Sequence, residues 1–544
     1  MKHTGKLPTL RSLFVALLLV AAAGFAGAGA LASEPAAGPE PLAHGELVQL
    51  YERESPPALL RLKLAALLTT PFVSNGAADA GAQPRLPRSS ALGTFVRVVF
   101  WNIERGMEYE AVEASFADPE RFARLLDPEK YPTGSERREA VLREAALLRE
   151  ADVIVLNEVD WGLKRTDYRN VAADLAKALG MNYAYGVEFV EVSPVNLGTE
   201  QFEETAGDER AELREVVSVD ASRYRGLHGN AILSRFPLEN VRLVPFRTQP
   251  FDWYADAKKG PSKLERGKEK AGEMVFREKA SRSVRRGGRT MLFADIVHPE
   301  LPGGRVTVVS THLENRTKPK NRRRQLEELL AEIRDVPNPV ILAGDMNTSG
   351  RDSTPTSLGR EIRKRLGSRS FWIKRGIRFA TGFELPFGVV RGGLNQYRRQ
   401  ADPTVQHVPW VAPNPEAEFF STLKKFRFAD GGAFDFRGDE ERSAGANDGA
   451  LSNSNQRGGK GFVTTFEVER RIGFVGKFKL DWVFVKPPRL ADPEGKEQPY
   501  LFAPHFGRTL KDLNHAVEGR ISDHSPVTVD LPLGEPRPAR AASR

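Results

Sequence analysis

The chain has 544 residues, of which 40% are hydrophobic and 28% are charged. This balance supplies a large core and excludes an intrinsically disordered chain, while the absence of cysteine excludes disulfides, cysteine metal sites and thiol nucleophiles. The formal net charge of +9 favours a polyanionic partner, such as nucleic acid, anionic lipid headgroups or phosphate esters.

The first predicted element is an export signal. Lys2, Lys6 and Arg11 precede an apolar run that closes with Ala30-Leu31-Ala32, a pattern typical of signal-peptide cleavage. The uncharged stretch from Leu13 to Ala32 is barely long enough to cross a membrane, so an uncleaved anchor is the minor alternative. We therefore predict a signal peptide over residues 1–32 and a secreted or periplasmic protein.

The next elements predict a helical segment followed by strands with interspersed helices. Residues 33–95 carry a linker and apolar residues at helical spacing, with Pro56-Pro57 separating two short helices. Helical periodicity recurs at Glu136–Glu150, Arg169–Leu179 and Arg322–Arg334. Short apolar runs predict strands at Thr94–Trp101, Val153–Leu156, Ala231–Leu233, Met291–Ile296, Val306–Ser310, Val340–Ala343, Trp482–Val485 and Val527–Leu531. This order indicates an α/β or α+β sandwich.

Two stretches do not fit a compact core. Residues 251–288 are dense in lysine, arginine and glutamate, and residues 349–477 are rich in glycine, arginine and aromatic side chains. Segments of this length are usually functional lids or solvated excursions. We predict one domain over residues 96–533 with insertions at these two places, and a tail at residues 534–544.

Acidic, amide and imidazole residues lie at the ends of most predicted strands. Strand ends at one edge of a sheet are where such folds collect a site. Carboxylates without cysteine suit Mg²⁺, with Mn²⁺ or Ca²⁺ as alternatives, and two histidines could handle protons at neutral pH. The segments are Asn102-Ile103-Glu104, Asn157-Glu158, Thr311-His312, Gly344-Asp345-Met346-Asn347, Leu480-Asp481-Trp482 and Ser522-Asp523-His524-Ser525-Pro526. This inventory matches metal-assisted hydrolysis of a phosphate ester.

These segments, in this order, resemble the motif series of the endonuclease/exonuclease/phosphatase superfamily. That superfamily includes DNase I-like nucleases, exonuclease III-like repair enzymes, neutral sphingomyelinases and inositol polyphosphate 5-phosphatases. The resemblance spans about residues 96–533, and the Gly-Asp-x-Asn and Ser-Asp-His-x-Pro pair is its most specific part. It implies a four-layered α/β sandwich, with two packed mixed sheets flanked by helices.

The resemblance also implies a role for each motif residue. Asp345 would orient or deprotonate the attacking water, and Asn347 would position it or bind phosphate. His312 would bind the scissile phosphate or protonate the leaving group. His524, oriented by Asp481, would act as general base or stabilise the transition state. The metal ligands would be Glu158, with Asn102, Glu104 and Asp523 around it, and Asn315 would contact the substrate phosphate.

Some positions keep two interpretations. Asn157 stands where the family often has glutamine, so the amide is kept and shortened. His228 precedes a predicted strand and would either touch the substrate or serve as a structural histidine. Arg289 could face the phosphate, although an exposed surface position is favoured. The cluster Arg322–Arg324 is expected to be solvated.

The substrate remains open at this point. A nuclease is favoured by the net charge and by the basic, aromatic segment Arg363–Arg378. A phospholipid phosphodiesterase acting on membrane lipid headgroups is favoured by export, and a sugar or inositol phosphatase is a third candidate. An alternative of another class is a non-catalytic, polyanion-binding protein on the same scaffold. No stable protein partner is inferred.

Overall fold

The computed structural model describes residues 37–199, 219–259, 284–348, 416–437, 465–467, 477–493, 495 and 497–536. The predicted signal peptide, the segment Arg363–Arg378 and the tail from residue 537 lie outside the described residues. Within the described part, no helix has the length and apolar character needed to cross a membrane.

The strands and helices are numbered in chain order. The strands are β1 Phe72–Ser74, β2 Arg88–Ser89, β3 Gly93–Arg105, β4 Val153–Trp161, β5 Asn182–Glu191, β6 Leu227–Ser234, β7 Leu238–Pro245, β8 Arg285–Gly287, β9 Thr290–Val297, β10 Arg305–His312, β11 Val340–Asp345, β12 Phe466–Glu467, β13 Lys477–Phe478, β14 Asp481–Lys486, β15 His505–Thr509 and β16 Val527–Pro532. The α-helices are α1 His44–Glu52, α2 Ala58–Thr69, α3 Gly76–Asp79, α4 Tyr109–Ala117, α5 Pro119–Leu125, α6 Glu136–Arg149, α7 Val171–Leu179, α8 Pro194–Leu197, α9 Ala255–Lys259, α10 Pro319–Ile333, α11 Ala417–Lys425 and α12 Lys511–Asn514. Two 3₁₀ turns lie at Lys164–Thr166 and Pro302–Gly304.

The larger sheet has nine strands. Its main path is β1-β5-β6-β4-β3-β16-β15, with β2 paired to β3 and β8 paired to β5. Strands β3 and β4 are parallel neighbours, whereas β16 and β6 flank them in antiparallel orientation. Because β3 and β4 run in the same direction, their C-terminal ends lie at the same edge of the sheet.

The smaller sheet has five strands in the order β14-β11-β10-β9-β7. Strands β10 and β11 are parallel, and their last register pair is His312 with Asp345. The antiparallel pairing of β11 with β14 places Asp345 opposite Asp481. Three of the predicted site residues therefore lie side by side on adjacent strands.

The two sheets pack face to face. On β3, Val98 and Phe100 enter a core that also contains Val308 of β10 and Ile341 of β11. The intervening residues Val99 and Trp101 are also fully buried, on the opposite face of the sheet. Because both faces are covered, these strands read as continuous hydrophobic runs.

Helices form the outer layers. Helices α4, α6 and α7 bury apolar faces on the side of the larger sheet, and α7 contacts β4 and β5. Helices α10 and α11 cover the smaller sheet, where Leu326 and Phe420 pack with Trp482 in a second core. The predicted four-layered α/β sandwich of two mixed sheets is confirmed.

The boundaries drawn for the N-terminal segment and the insertions require correction. The predicted helices appear as α1 and α2, but β1 also adds to the edge of the larger sheet by pairing with β5. Residues 416–437, expected within an excursion, supply Phe419, Phe428 and Phe434 to the second core. Trp253 and β8, at the two ends of the other insertion, are part of the fold as well. Residues 260–283, 349–415, 438–464 and 468–476 of the two insertions lie outside the described residues.

Candidate active site

The predicted acidic residues of the larger sheet lie at irregular strand ends. The register of β3 shifts between Asn102 and Arg105, and that of β4 shifts between Leu156 and Val159. Glu104 and Glu158 lie inside these bulges with φ of 47° and 52°. Non-glycine residues in this left-handed region carry backbone strain, which tends to concentrate at functional sites. The bulges turn both carboxylates out of the regular ladder.

An acidic group forms where these bulges meet the loop before β16. Asn102 Nδ2 lies 3.3 Å from Glu158 Oε1, and Glu104 Oε2 accepts a 2.8 Å hydrogen bond from the backbone N–H of Asp523. Burial, followed by the charge of Asp523, raises the pKa of Glu104 to about 8. Such mutual repulsion between carboxylates is relieved by a cation.

A second group joins His524 to two aspartates. Both carboxylate oxygens of Asp481 lie 2.9 Å from His524 Nδ1, so this nitrogen carries a proton and faces a buried carboxylate. His524 Nε2 lies 3.6 Å from Asp345 Oδ2. Burial alone would lower the pKa of His524, but the surrounding carboxylates, Asp481 foremost, outweigh it and raise that pKa well above its ordinary value.

His312 approaches the same aspartate from the other side. Its Nε2 lies 3.5 Å from Asp345 Oδ2, and its Nδ1 lies 2.8 Å from Arg289 Nη1. A guanidinium donates only, so Nδ1 must accept, and the proton of the neutral ring is therefore on Nε2. Burial, assisted by the charge of Arg289, lowers the pKa of His312 well below its ordinary value.

Asp345 is the point at which these groups meet. Its Oδ2 is approached by His312, His524 and Asn102, whose Nδ2 lies 3.4 Å away. Its Oδ1 accepts from the backbone N–H of Asn347 at 2.8 Å. Burial raises the pKa of Asp345 to about 7. This carboxylate is therefore able to exchange a proton near neutral pH.

Asn157 braces the two sheets behind the site. Its Oδ1 accepts from the backbone N–H of Asp345 at 2.8 Å, and its Nδ2 donates to Asn230 Oδ1 at 2.8 Å. Ser310 Oγ lies 3.3 Å from the same Nδ2. The shorter amide found at this position thus holds β4, β6, β10 and β11 together, and the side chain is fully buried.

His228 is buried and fixed by a carboxylate. Its Nδ1 lies 2.8 Å from Asp160, its register partner on β4, and Asp160 is also bound by Arg165 Nε at 2.6 Å. Burial lowers the pKa of His228 despite this pairing. A positive charge on this ring would lower the pKa of both Glu158 and His312. Its placement fits both interpretations made from the sequence.

Asn347 and Asn315 are placed differently from the other predicted residues. Asn347 has φ of 46° and donates from Nδ2 to the backbone oxygen of Leu313 at 2.9 Å, so its amide supports the turn after β11. Asn315 is half-buried in the loop that follows His312. The role expected for each toward phosphate stays a prediction.

Several residues of the site were missed or misjudged from the sequence. Arg289, favoured as exposed, is 3% exposed and also binds Glu188 Oε2 at 3.0 Å, so that expectation is wrong. Arg322, expected to be solvated, is fully buried against Glu416. Glu188 lies in the middle of the apolar strand β5. An isolated glutamate in such a run is the signal that would have indicated a buried ion pair.

The donor set fits a hard divalent cation. Glu158, Glu104, Asp523 and the amide of Asn102 supply only oxygen-type ligands, and Mg²⁺ needs one or two carboxylates while keeping several waters. Among the described residues, the ligand atoms that lie within 4.8 Å of one another are those of Asp345, Asp481 and His524, whereas those of Glu104, Glu158 and Asp523 are more widely spaced. His524 and Asp481 already hydrogen-bond to each other, so that group fits proton transfer, whereas the acidic group fits a cation.

Comparisons with known proteins agree with this geometry. A model described as the Endonuclease/Exonuclease/phosphatase family matches residues 99–524. No curated protein matches the chain.

The solved structures that match the chain share little sequence with it. An endonuclease/exonuclease/phosphatase from Beutenbergia cavernae DSM 12333 is 18% identical, with 81% of this chain and 72% of that chain covered and a TM-score of 0.31. The human Nocturnin catalytic domain with bound sulfate anion is 15% identical, with 82% and 98% covered and a TM-score of 0.33. TDP2 from C. elegans is 12% identical, with 98% and 96% covered and a TM-score of 0.33. At these values the neighbours carry no conclusion about substrate.

Proposed function

The chain belongs to the endonuclease/exonuclease/phosphatase family and is thus a hydrolase of phosphate esters, and from this premise we propose an exported, divalent-metal-dependent phosphodiesterase acting on nucleic acid. The proposal rests on one observation, which is that two histidine rings approach the same oxygen, Asp345 Oδ2. His312 Nε2 and His524 Nε2 lie 3.5 and 3.6 Å from this single oxygen. Two imidazoles around one buried carboxylate form a compact site for phosphate and water.

The acidic group would hold the metal. Glu158, Glu104, Asp523 and Asn102 are the residues that would bind it, and a bound Mg²⁺ would polarise the phosphate and neutralise developing negative charge. Burial and the charge of Asp523 together raise the pKa of Glu104, and a cation at this place would relieve both effects. Mn²⁺ and Ca²⁺ are alternatives with the same ligand chemistry.

The two histidines and Asp345 have separate proton roles. His312 holds its proton on Nε2, because Nδ1 accepts from Arg289, and so can donate to a phosphate oxygen. His524, paired through Nδ1 with Asp481, can present a positive charge toward the same phosphate. Asp345 then accepts the proton of the attacking water. Preorganised donors of this kind stabilise the charge that develops in the transition state.

Nucleic acid is favoured over the other substrates by charge. The chain carries a formal net charge of +9, which suits a polyanion. A phospholipid phosphodiesterase and a sugar or inositol phosphatase remain the alternatives. Export rests on the N-terminal sequence, in which basic residues precede an apolar run that closes with Ala30-Leu31-Ala32.

The test is a substrate panel on the protein from Ser33 onward, with Mg²⁺ or EDTA. The panel contains plasmid DNA, single-stranded RNA, sphingomyelin, a soluble inositol phosphate and a bis-aryl phosphodiester. We expect EDTA-sensitive cleavage of nucleic acid. Asp345→Asn should lower kcat by on the order of 10²–10⁴-fold with little change in KM, because it removes the proton acceptor. Asp335→Asn, at an exposed position after α10, is the matched control and should retain activity.

The alternatives give different results in the same panel. Cleavage of sphingomyelin or inositol phosphate alone would reassign the substrate. An absence of EDTA-sensitive hydrolysis across the panel would contradict the proposal and favour a non-catalytic polyanion-binding protein. Full activity of Asp345→Asn would overturn the assigned proton acceptor.

A further inference from the structure

A groove of about 610 Å³ opens in the segment that follows His312. It is formed by the loop after β10 and the first turns of α10, together with Pro250. Four of its side chains are cationic and exposed, and none is a carboxylate. The polar lining residues are Arg316, Thr317, Lys318, Lys320, Asn321 and Arg324.

The groove cations are defined as Arg316, Lys318, Lys320 and Arg324. No ion pair among the described residues involves any of them. Their neighbours on α10 behave differently, since Arg322 and Arg323 are both paired with glutamates. Four like charges converge on one concavity without neutralisation, an arrangement that attracts an anionic ligand.

Arg316 is held in place by aromatic rings. Its guanidinium carbon lies 5.3 Å from the ring centroid of Phe251 and 4.9 Å from that of Trp253. Stacking leaves the planar fork of the guanidinium ordered while its edge stays free for phosphate oxygens. This cation is therefore positioned before any ligand binds.

The groove is connected to the catalytic histidine through Glu314. Trp253 Nε1 donates to Glu314 Oε2 at 3.0 Å, and the backbone N–H of Arg316 donates to Glu314 Oε1 at 2.9 Å. Glu314 Oε2 lies 3.6 Å from Nε of Arg289, the residue that binds His312. The same buried glutamate thus anchors both the wall of the groove and the support of the histidine.

The groove and the site are close along the chain. Arg316 follows His312 by four residues, so their Cα atoms are at most about 14 Å apart. Helix α10 begins at Pro319 with Lys318 as its N-cap, so the positive end of the helix dipole adds to the charge. A strand with its scissile phosphate beside His312 would carry its neighbouring phosphates into the groove.

We propose that the groove binds the phosphate backbone of a nucleic-acid strand adjacent to the phosphate that is cleaved. The inference rests on the proposed function and assigns the residues that would select a strand over a small ester. A strand is favoured over a bilayer because Arg316 lies within about 14 Å of His312, so that consecutive phosphates of one strand can reach both places.

The test compares two triple variants of the full chain from Ser33 onward. The groove variant combines Lys318→Ala, Lys320→Ala and Arg324→Ala. It removes three groove cations and leaves the stacked Arg316 intact. The charge-matched control variant combines Arg124→Ala, Arg143→Ala and Lys177→Ala. It removes three exposed cations from α5, α6 and α7. Binding of a labelled 12-nucleotide single strand is measured by fluorescence anisotropy in EDTA over a range of KCl concentrations.

The groove variant should bind the strand on the order of 10–100-fold more weakly at low salt. Its slope of log K against log salt should fall by about 2, since each phosphate contact on a single strand contributes about 0.7. With Mg²⁺, its KM for the 12-mer should rise while kcat is kept. Turnover of the bis-aryl phosphodiester should be unchanged. The control variant should match the wild type in salt slope and KM.

Failure of this inference is distinguishable from failure of the proposed function. Equal affinity and equal salt slope for the two triple variants would overturn the groove as a strand site, whatever the activity. If the groove variant no longer bound vesicles containing 30% phosphatidylserine but still bound the strand, the groove would be a membrane-binding surface and the strand proposal would be overturned. Groove-dependent strand binding by a protein that cleaves no nucleic acid would support the groove and sink the nuclease assignment.

Discussion

Arg289 determines which nitrogen of His312 carries the proton. Its Nη1 lies 2.8 Å from His312 Nδ1 and 3.0 Å from Glu188 Oε2, and all three side chains are buried. Because the guanidinium cannot accept a hydrogen bond, the neutral imidazole is locked as the Nε2–H tautomer. Residues that orient an imidazole in this way are worth a large factor in activity although they do not touch the substrate.

Replacing Arg289 by lysine should therefore impair catalysis more than binding. A lysine keeps the positive charge beside Glu188, but it has one nitrogen where Arg289 uses two. Nη1 of Arg289 contacts Glu188 and His312 while Nε lies 3.6 Å from Glu314, and a single ammonium cannot keep all three partners in place. We expect kcat to fall by about 10–100-fold with little change in KM. The ¹⁵N chemical shifts of His312 should move toward a mixture of tautomers, which a purely structural role would not produce.

Arg285→Lys is the matched control for this variant. Arg285 is buried and donates from Nε to the buried Glu191 at 3.1 Å, while Arg289 donates from Nη1 to the buried Glu188 at 3.0 Å. The control should lose stability to a similar extent and retain kcat. An equal loss of kcat in both variants would contradict the orienting role of Arg289.

At the scale of elements, the site depends on how closely β10 and β11 approach. A Cβ added at Gly344 would lie 1.9 Å from the backbone oxygen of Thr311 on β10. A contact with backbone cannot be relieved by rotating a side chain. The next register pair is His312 with Asp345, so any separation of the strands acts directly on the pair that we propose to be catalytic.

Gly344→Ala should accordingly cost both stability and turnover. Overpacking of this kind typically destabilises by about 1–3 kcal/mol. We expect that loss in denaturant unfolding, and a fall in kcat of about 100-fold or more because small misplacements at a reacting centre are costly. Gly45→Ala serves as control, since nothing lies within 4 Å of its Cβ position. Normal turnover in Gly344→Ala would show that the strand spacing tolerates the methyl group.

The strands that carry the site could be predicted because they are buried on both faces. Each of the eight predicted strands falls within an observed one, from β3 to β16. Strand β5 was missed because tyrosine, glycine and Glu188 interrupt its pattern of branched aliphatic residues. The burial of Glu188 follows from Arg289, which lies about a hundred residues later. Pairing over that sequence distance is fixed by sheet register and cannot be read from local composition.

The motif residues were easier to identify than their partners. Asp481 and His524 were expected to interact, and they lie 2.9 Å apart. The side-chain amides of Asn157 and Asn347 are already hydrogen-bonded within the protein. These bonds were not predicted, because they depend on where the loops of both sheets meet. The sequence therefore identified the chemical groups, and the packing of the two sheets decides which atoms remain available.

At the scale of the whole molecule, the fold concentrates carboxylates that oppose folding when no cation is bound. Glu104 has its ordinary pKa of 4.5 in the unfolded chain and a pKa of about 8 in the folded chain. Below pH 4.5 it is protonated in both states, and the folded state suffers no repulsion from it. As pH rises from 4.5 through 8, Glu104 ionises readily in the unfolded chain, but its ionisation in the folded chain is opposed. The free energy of unfolding therefore falls over this range.

This linkage predicts how metal and pH act together on stability. In EDTA, the free energy of unfolding of the wild type should fall from pH 5.5 to pH 8.5, with Glu104 contributing on the order of 1–3 kcal/mol. The lower values are expected because its side chain is 26% exposed. Glu104→Gln should remove this part of the decline, and Glu129→Gln, at an exposed turn, should not.

Mg²⁺ at 100-fold excess over its Kd should restore about 2.7 kcal/mol to the wild type. At one fixed Mg²⁺ concentration, set from the Kd at pH 8.5, the gain should be larger at pH 8.5 than at pH 5.5, because ligands must lose their protons to bind metal. Urea unfolding measures all of these values, and a Mg²⁺ effect that is the same at both pH values would contradict a metal site built around Glu104.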